Sequence, residues 1–394
     1  MAELIRDENG RIIFTKEMKK DYTILVPNML PIHFNIMKNV FTNEGYKFAL
    51  LDNDGTAVKQ LGLKYMHNDI CYPALLVAGQ FLDALSSGKY DVNKTALMIM
   101  QTGGGCRASN YIHLLRKALV KAGYSNVPII SFNLSGLEHN SGFKLTLPII
   151  RRILAGVIYG DLIMLLSNQT RPYEIKKGET DKLIKKWVID ISKQFRAKKG
   201  YSFSQMKANF TKVIDSFSSI KLKKEIKTKV GIVGEIYVKY ARFANNSLEK
   251  FLADENCEVM VPGLMGFLMF KVDARVQDYL IYGGSKVKYF AAKTLLGYLE
   301  KIEKAFMEAV DNSRFTQLSS YADTKPLVNG LIGLGNRMGE GWFLPAEMIE
   351  LIKHGYENIV CTQPFGCLPN HIVGKGVMRS IQRDYPQANM IAVD

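Results

Sequence analysis

The chain has 394 residues, of which 47% are hydrophobic and 23% charged, and its formal net charge is +15. This length favours two domains, and the composition is that of a soluble globular protein. Five cysteines in no repeating framework argue against a secreted disulfide scaffold and for reduced, intracellular thiols. The first residues lack the apolar segment of a signal peptide, and the apolar runs are short for a membrane span. We therefore expect a cytoplasmic protein.

The first part of the chain alternates between strand and helix patterns, which predicts a parallel α/β domain over residues 1–142. Pro73 lies just inside one expected helix start and Gly123 just past another helix end, the usual asymmetry of helix termini. Strands are expected at 22–27, 46–51, 95–101 and 127–132, and helices at about 31–43, 73–85 and 108–122.

Residues 143–228 lose this alternation and are expected to form a basic helical connecting region. The stretch 171–229 carries 17 Lys and Arg against 6 Asp and Glu, which we interpret as a solvated helical face. The alternative is docking of an acidic partner or of phosphate groups. A second α/β domain is expected over 229–394, with strands near 230–233, 258–261, 358–361 and 389–393. The predicted fold is thus α/β, with two Rossmann-like parallel-sheet domains joined by a helical region.

Four of the five cysteines lie where a strand is expected to give way to a helix. Cys71 precedes Tyr-Pro, Cys106 follows three glycines, and Cys361 and Cys367 enclose Thr-Gln-Pro-Phe-Gly. A thiol at a helix N-terminus is biased toward the thiolate, which is the form that binds metal. Because the carboxyl ends of parallel strands share one edge of a sheet, cysteines distant in the chain can meet there.

The residues around Cys106 add to this pattern. Gly104 and Gly105 let the backbone approach a bulky ligand and turn N–H groups toward it. Three or four thiolates from separate loops suit an iron–sulfur cluster, and also an all-cysteine zinc site. The cysteine pairs two to four residues apart that mark most zinc sites are missing from the sequence. The alternative is four ordinary buried cysteines; Cys257, with no turn residues around it, is left out.

Two glutamates are candidate acid–base groups. Glu235 follows the strand expected at 230–233, and so lies at the carboxyl end of a strand, where ligands of parallel sheets bind. Glu340 lies in Gly-Glu-Gly-Trp. The alternative to an acid–base role is that each glutamate is a helix cap or a hydrogen-bond partner.

At these residues the chain resembles the 2-hydroxyacyl-CoA dehydratase family, most closely the dehydratase-like region of the large CoA-enzyme activases. Several short motifs carry the resemblance. Together they span nearly the whole chain in family order, and the last one named is the most specific. They are Cys71-Tyr-Pro73, Gly104-Gly-Cys-Arg107, Tyr159-Gly-Asp161, Arg171-Pro-Tyr-Glu174, Val230-Gly-Ile-Val-Gly-Glu-Ile-Tyr237, Asn245-Asn246, Gly339-Glu-Gly341 and Gln363-Pro-Phe-Gly-Cys-Leu-Pro369 with His371.

The resemblance implies a [4Fe–4S] cluster between two Rossmann-like domains, and we expect Cys71, Cys106, Cys361 and Cys367 to hold it. It also implies a homologous partner subunit, in a homo- or heterodimer, and an ATP-dependent iron–sulfur activator that supplies one electron. Family members act on acyl-CoA thioesters through a ketyl radical. The chain is therefore expected to be the iron–sulfur component of a dehydratase-like lyase or a related reductase.

Two other functions stay open. Four cysteine ligands would fill all four irons, which favours a non-catalytic electron-transfer or scaffold subunit, whereas catalytic subunits are expected to use three. A basic nucleic-acid-binding protein is the third hypothesis. It is not favoured, because the sequence has no helix-turn-helix, zinc-finger or RNP-type motif.

Overall fold

The computed structural model describes residues 3–67, 69–101, 105–133, 138 and 140–394. The chain divides into two compact units, each made of more than one chain segment. The first unit comprises Met1–Ile153, Tyr240–Asn246 and Pro364–Cys367. The second unit comprises Leu154–Lys239, Ser247–Gln363 and Leu368–Asp394.

The first unit is built on a parallel sheet of strands β1 (Thr23–Pro27), β2 (Lys47–Leu51), β3 (Thr95–Met100) and β4 (Ile129–Phe132). The described strands pair in the order β2-β1-β3-β4. The central β1 places Leu25 between Ala49 and Leu97. The first five residues of β3 are all buried, as expected for a parallel strand covered on both faces.

Helices surround this sheet, and two of them approach each other closely through glycines. A Cβ on Gly62 would lie 2.4 Å from the Leu75 carbonyl oxygen, and one on Gly79 would lie 2.1 Å from the Val58 carbonyl oxygen. Only glycine therefore fits at these two positions. The helices are α1 (Met18–Asp21), α2 (Pro31–Asn43), α3 (Thr56–Tyr65), α4 (Tyr72–Ser86), α5 (Tyr111–Lys121) and α6 (Leu147–Thr170), whose later residues belong to the second unit.

The second unit repeats the strand order of the first. Its described strands, β5 (Thr228–Gly234), β6 (Cys257–Met260), β7 (Asn358–Thr362) and β8 (Asn389–Val393), are parallel and ordered β6-β5-β7-β8. In both sheets the second strand pairs with one side of the first strand, and the third strand pairs with its other side. The carboxyl ends of the first and third strands therefore border a switch point, where ligands of such sheets bind. The prediction of two parallel α/β sheets is confirmed.

The second unit contains the helices of the basic region and two long helices further along the chain. In the basic region, Trp187, Phe195 and Phe210 are buried, whereas Lys182 and Lys186 are exposed. The helices are α7 (Glu179–Arg196), α8 (Phe203–Ser218), α9 (Ile236–Tyr240), α10 (Leu248–Asp254), α11 (Leu264–Tyr282), α12 (Lys286–Asp311), α13 (Tyr321–Thr324), α14 (Phe343–Lys353) and α15 (Gly376–Asp384). Among the described helices, none has the length and apolarity that a membrane crossing requires.

Candidate functional site

Cys71 lies in direct contact with the turn that carries Cys367. The N–H of Tyr72 donates to the Phe365 carbonyl oxygen at 3.0 Å. Gly366 has a φ of +74°, and a Cβ there would lie 3.1 Å from the Cα of Cys71. The N–H of Cys367 closes the turn by donating to the Pro364 carbonyl oxygen at 3.1 Å. The backbone of this turn therefore packs on the start of α4, next to Cys71, and both cysteines belong to the first unit.

Cys71 is the N-cap residue of α4, and Pro73 lies in the first turn of that helix. Its sulfur lies 2.5 Å from the hydroxyl of Tyr111, the first residue of α5. The residue is 4% exposed, so this contact is largely shielded from solvent. The sequence prediction that Cys71 stands at a helix N-terminus is confirmed, whereas its contact with Tyr111 was not expected.

Cys106 also precedes a helical turn in the first unit. It is the N-cap residue of the short 3₁₀ helix Arg107–Asn110, and its carbonyl oxygen accepts from the Ser109 hydroxyl at 2.8 Å. Nη1 of Arg107 donates to the Asp69 carbonyl oxygen and lies 3.5 Å from the Cβ position of Gly366. Arg107 thus links the segment before Cys71 with the turn before Cys367.

Cys361 occupies a different environment. It is the fourth of the five residues of β7, paired with Val233 and Ala392, and the strand continues one residue beyond the end expected from the sequence. It is fully buried in the core of the second unit, with its sulfur 3.5 Å from the Cβ position of Gly374. Burial, and next Glu340, raise the pKa of its thiol to about 12. The local structure is that of a thiol packed in the core of the second unit.

Two glycines complete the predicted cluster site, and Cys257 is the one cysteine that was left out of it. Gly104 lies outside the described residues, whereas Gly105 is described and exposed. Cys257 begins β6 and is partly exposed. In the described part of the chain, no three His, Cys, Asp or Glu side chains are grouped so that they could hold a metal ion. A four-iron cluster is larger than one ion, so its thiolates attach at separate corners, and this finding does not decide the cluster prediction.

Glu235 and Glu340 are close in the second unit, at the carboxyl end of β5. Oε1 of Glu340 accepts from the N–H of Ile236 at 3.0 Å, and Oε2 accepts from the Asn370 amide at 2.8 Å. Oε2 of Glu235 accepts from the N–H of Val238 at 2.9 Å. Both carboxyls therefore act as hydrogen-bond acceptors for neighbouring chain segments. Burial, and next the charge of Glu340, raise the pKa of Glu235 well above its usual range.

A buried ion pair of Lys239 with Glu347 lies near these two glutamates. Nζ of Lys239 lies 3.1 Å and 3.3 Å from the two carboxylate oxygens of Glu347, and both side chains are almost fully buried. Glu350, one turn further along α14, accepts from the Thr324 hydroxyl at 3.1 Å. Burial, and next the charge of Glu347, raise the pKa of Glu350 to about 8. The buried carboxyls of the second unit therefore include those of Glu235, Glu340, Glu347 and Glu350.

The sequence matches no protein-family model and no curated protein. The resemblance stated from the motifs therefore stays an expectation, and the argument for function rests on the geometry of the described residues.

Several motifs of that resemblance have a structural role. Asp161 caps α11, since its carboxylate accepts from the N–H groups of Leu264 and Met265 at 2.8 Å and 2.7 Å. Glu174 accepts from the N–H and hydroxyl of Thr180 at 2.9 Å and 2.7 Å. These contacts hold the helices of the second unit in place.

Sequence reasoning missed the residues whose role depends on a distant partner. Tyr111, Lys239 and Glu347 were not selected. A weak signal was present, because Glu347 and Glu350 interrupt the otherwise apolar run of α14. No local pattern connects Lys239 with a residue 108 positions away.

Proposed function

We propose that this chain is the iron–sulfur component of a 2-hydroxyacyl-CoA dehydratase-like system or a related reductase. Its ligands are Cys71, Cys106 and Cys367, which hold a [4Fe–4S] cluster. The observation that carries the proposal is the packing of the Gly366–Cys367 turn on Cys71, with Arg107 beside the same turn. Two cysteines almost 300 positions apart are thereby supported by one set of backbone contacts within one unit.

The donor set fits this cofactor. Iron–sulfur clusters prefer cysteine thiolates, and the three cysteines lie at two helical N-termini and in a glycine turn. The N-terminus of the 15-residue α4 favours negative charge at Cys71. The Tyr111 hydroxyl is placed to donate a hydrogen bond to the same sulfur. Arg107 brings a positive charge to the region.

Cys361 is not part of this proposed ligand set. It lies inside β7 and its side chain packs in the apolar core of the second unit, the usual setting of an inert structural cysteine. Three protein thiolates leave one iron open to a substrate oxygen, which supports the enzyme over the electron relay. When bound, the cluster supplies a single low-potential electron and a Lewis-acidic iron.

The partners follow from this assignment. An electron of sufficiently low potential has to be delivered, and the proposed source is an ATP-dependent iron–sulfur activator. A homologous subunit completes the proposed assembly. The excess of lysine and arginine in residues 171–229 favours anionic partners.

The proposal is tested on protein purified without oxygen and reduced with titanium(III) citrate, followed by electron paramagnetic resonance. A 2-hydroxyacyl-CoA is expected to change the spectrum of the reduced cluster, because its oxygen reaches the open iron. Free coenzyme A serves as the control and is expected to leave the spectrum unchanged. A cluster whose spectrum no acyl-CoA alters would favour the electron relay, and a protein without a cluster would contradict both functions.

A further inference from the structure

The second unit contains a cavity of about 120 Å³ that has no part in the proposed cluster chemistry. All its lining residues belong to the second unit. It is lined by residues that follow β6, the first turn of α11, the last third of α12 and the segment before α13. An engineered apolar cavity of about 150 Å³ binds benzene, so this volume suits a small organic molecule.

The walls of the cavity are mainly apolar. Methionines are prominent among them, and their flexible thioethers adapt to the shape of a ligand. The methionines are Met164, Met260, Met265 and Met307, and Phe306 and Phe343 contribute aromatic surface.

The polar groups of the cavity are mostly acceptors and acids. Glu303 and Glu350 both line it, and their carboxyls accept from the Tyr321 N–H at 2.9 Å and the Thr324 hydroxyl at 3.1 Å. The Gln317 amide nitrogen donates to the Met307 carbonyl oxygen at 3.1 Å. Its Oε1 atom is buried without a hydrogen-bond donor among the described residues. A buried acceptor left unpaired costs roughly 1–3 kcal/mol, which a ligand with an N–H group would recover.

The charged side chains described in the cavity lining are all acidic. Of the described residues that line it, none is Lys, Arg or His. Burial is the main cause that raises the pKa of Glu350 to about 8, and Glu347 adds to it. Burial likewise raises the pKa of Glu303 to about 7, with smaller contributions from Glu300 and Asp323. An anionic ligand would find no cationic side chain among the described lining residues, whereas a cation would stabilise the ionised carboxyls.

We propose that this cavity binds a small apolar primary ammonium ion. The ammonium group pairs with Glu350 and Glu303 and donates to Oε1 of Gln317, and the apolar body of the ligand packs among the methionines. The inference does not rest on the iron–sulfur function, because none of the predicted cluster cysteines lines the cavity.

The test is isothermal titration calorimetry on the full chain at pH 7.5 with benzylammonium and isobutylammonium. Benzyl alcohol and benzoate are the neutral and anionic controls. At least one ammonium is expected to bind, more tightly than benzyl alcohol by about tenfold, the equivalent of ~1.4 kcal/mol. Benzoate is expected not to bind. Because ammonium binding ionises a carboxyl, proton release is expected, visible as a heat that depends on the ionisation enthalpy of the buffer.

Variants identify the residues. E350Q and E303Q keep the shape of the side chains and remove the charge, so each is expected to weaken ammonium binding about tenfold and to leave benzyl alcohol unaffected. E308Q is the matched control for E303Q, since Glu308 is exposed on α12, the helix that also carries Glu303, and lies outside the cavity. Thermal unfolding checks that the variants fold. The inference is overturned if neither ammonium binds, if the alcohol binds equally well, or if both glutamine variants bind ammonium like the parent.

Discussion

Gly366 packs its backbone against Cys71, with only 3.1 Å between the Cα of Cys71 and the place where a Cβ of residue 366 would stand. The Ile70 carbonyl oxygen lies 3.3 Å from the same position. A side chain at residue 366 would therefore push the cysteine-bearing turn away from the start of α4. The contact ties Cys367 to Cys71 through the backbone.

The substitution Gly366→Ala is expected to destabilise the protein by about 2 kcal/mol or more and to lower its iron content. Two costs add together, the positive φ of +74° and the close contact with Cys71. Denaturant unfolding and iron analysis of anaerobic protein measure them. Gly88→Ala is the matched control, because Gly88 has a φ of +71° and nothing within 4 Å of its Cβ position. Equal losses in both variants would mean that the Cys71 contact is unimportant.

The buried pair of Lys239 and Glu347 gives a second prediction. Lys239→Met leaves the Glu347 carboxylate in the core without its cation, so the free energy of unfolding is expected to fall by about 3–5 kcal/mol. The double variant with Glu347→Leu removes both charges and is expected to recover most of that loss. Urea unfolding of the two variants at pH 7 measures the difference. If the double variant is as unstable as the single one, packing and not charge accounts for the effect.

The N-terminal cap of α11 gives a third prediction. Both carboxylate oxygens of Asp161 accept backbone N–H groups, so Asp161→Asn replaces one acceptor with a donor. We expect a loss of about 1–3 kcal/mol in unfolding free energy. Asp215→Asn, at an exposed position of α8, is the control and is expected to change little. A stable D161N protein would show that the cap is not needed to hold α11.

The dependence of stability on pH gives a fourth prediction. The pKa of Glu350 is raised from 4.5 to about 8, so between these values the folded state binds a proton that the unfolded state releases. This contribution is fully present below pH 4.5 and is lost as the pH rises toward 8. Glu350→Gln is expected to reduce the decline between pH 5 and pH 9 by on the order of 2–4 kcal/mol. Unfolding at both pH values measures it, and parallel declines in parent and variant would contradict it.

Much of the fold follows from local patterns in the sequence. All eight described strands lie within a residue or two of their predicted positions, because apolar runs between turn residues mark buried parallel strands. α3 was not predicted, and its close packing on α4 through Gly62 is a tertiary contact without a local signal in the sequence. The shared strand order of the two sheets was also hidden, because pairing joins residues distant in the chain.

The candidate site was predicted in part. Glycine and proline beside Cys71 and Cys106 indicated their helix starts, because these residues restrict the backbone locally. Cys361 was expected at the end of a strand; the strand continues one residue further, and the burial of the thiol depends on tertiary packing. The partnership of Cys71 with Tyr111 depends on tertiary packing and has no local signal in the sequence.

The most direct test of the proposed ligand set is the iron and sulfide content of single cysteine-to-serine variants purified without oxygen. About four iron and four sulfide per chain are expected in the parent. Variants at Cys71, Cys106 and Cys367 are expected to lose most of this content, whereas variants at Cys361 and Cys257 keep it. A parent protein that is free of iron, or full iron content in all of the first three variants, would contradict the account.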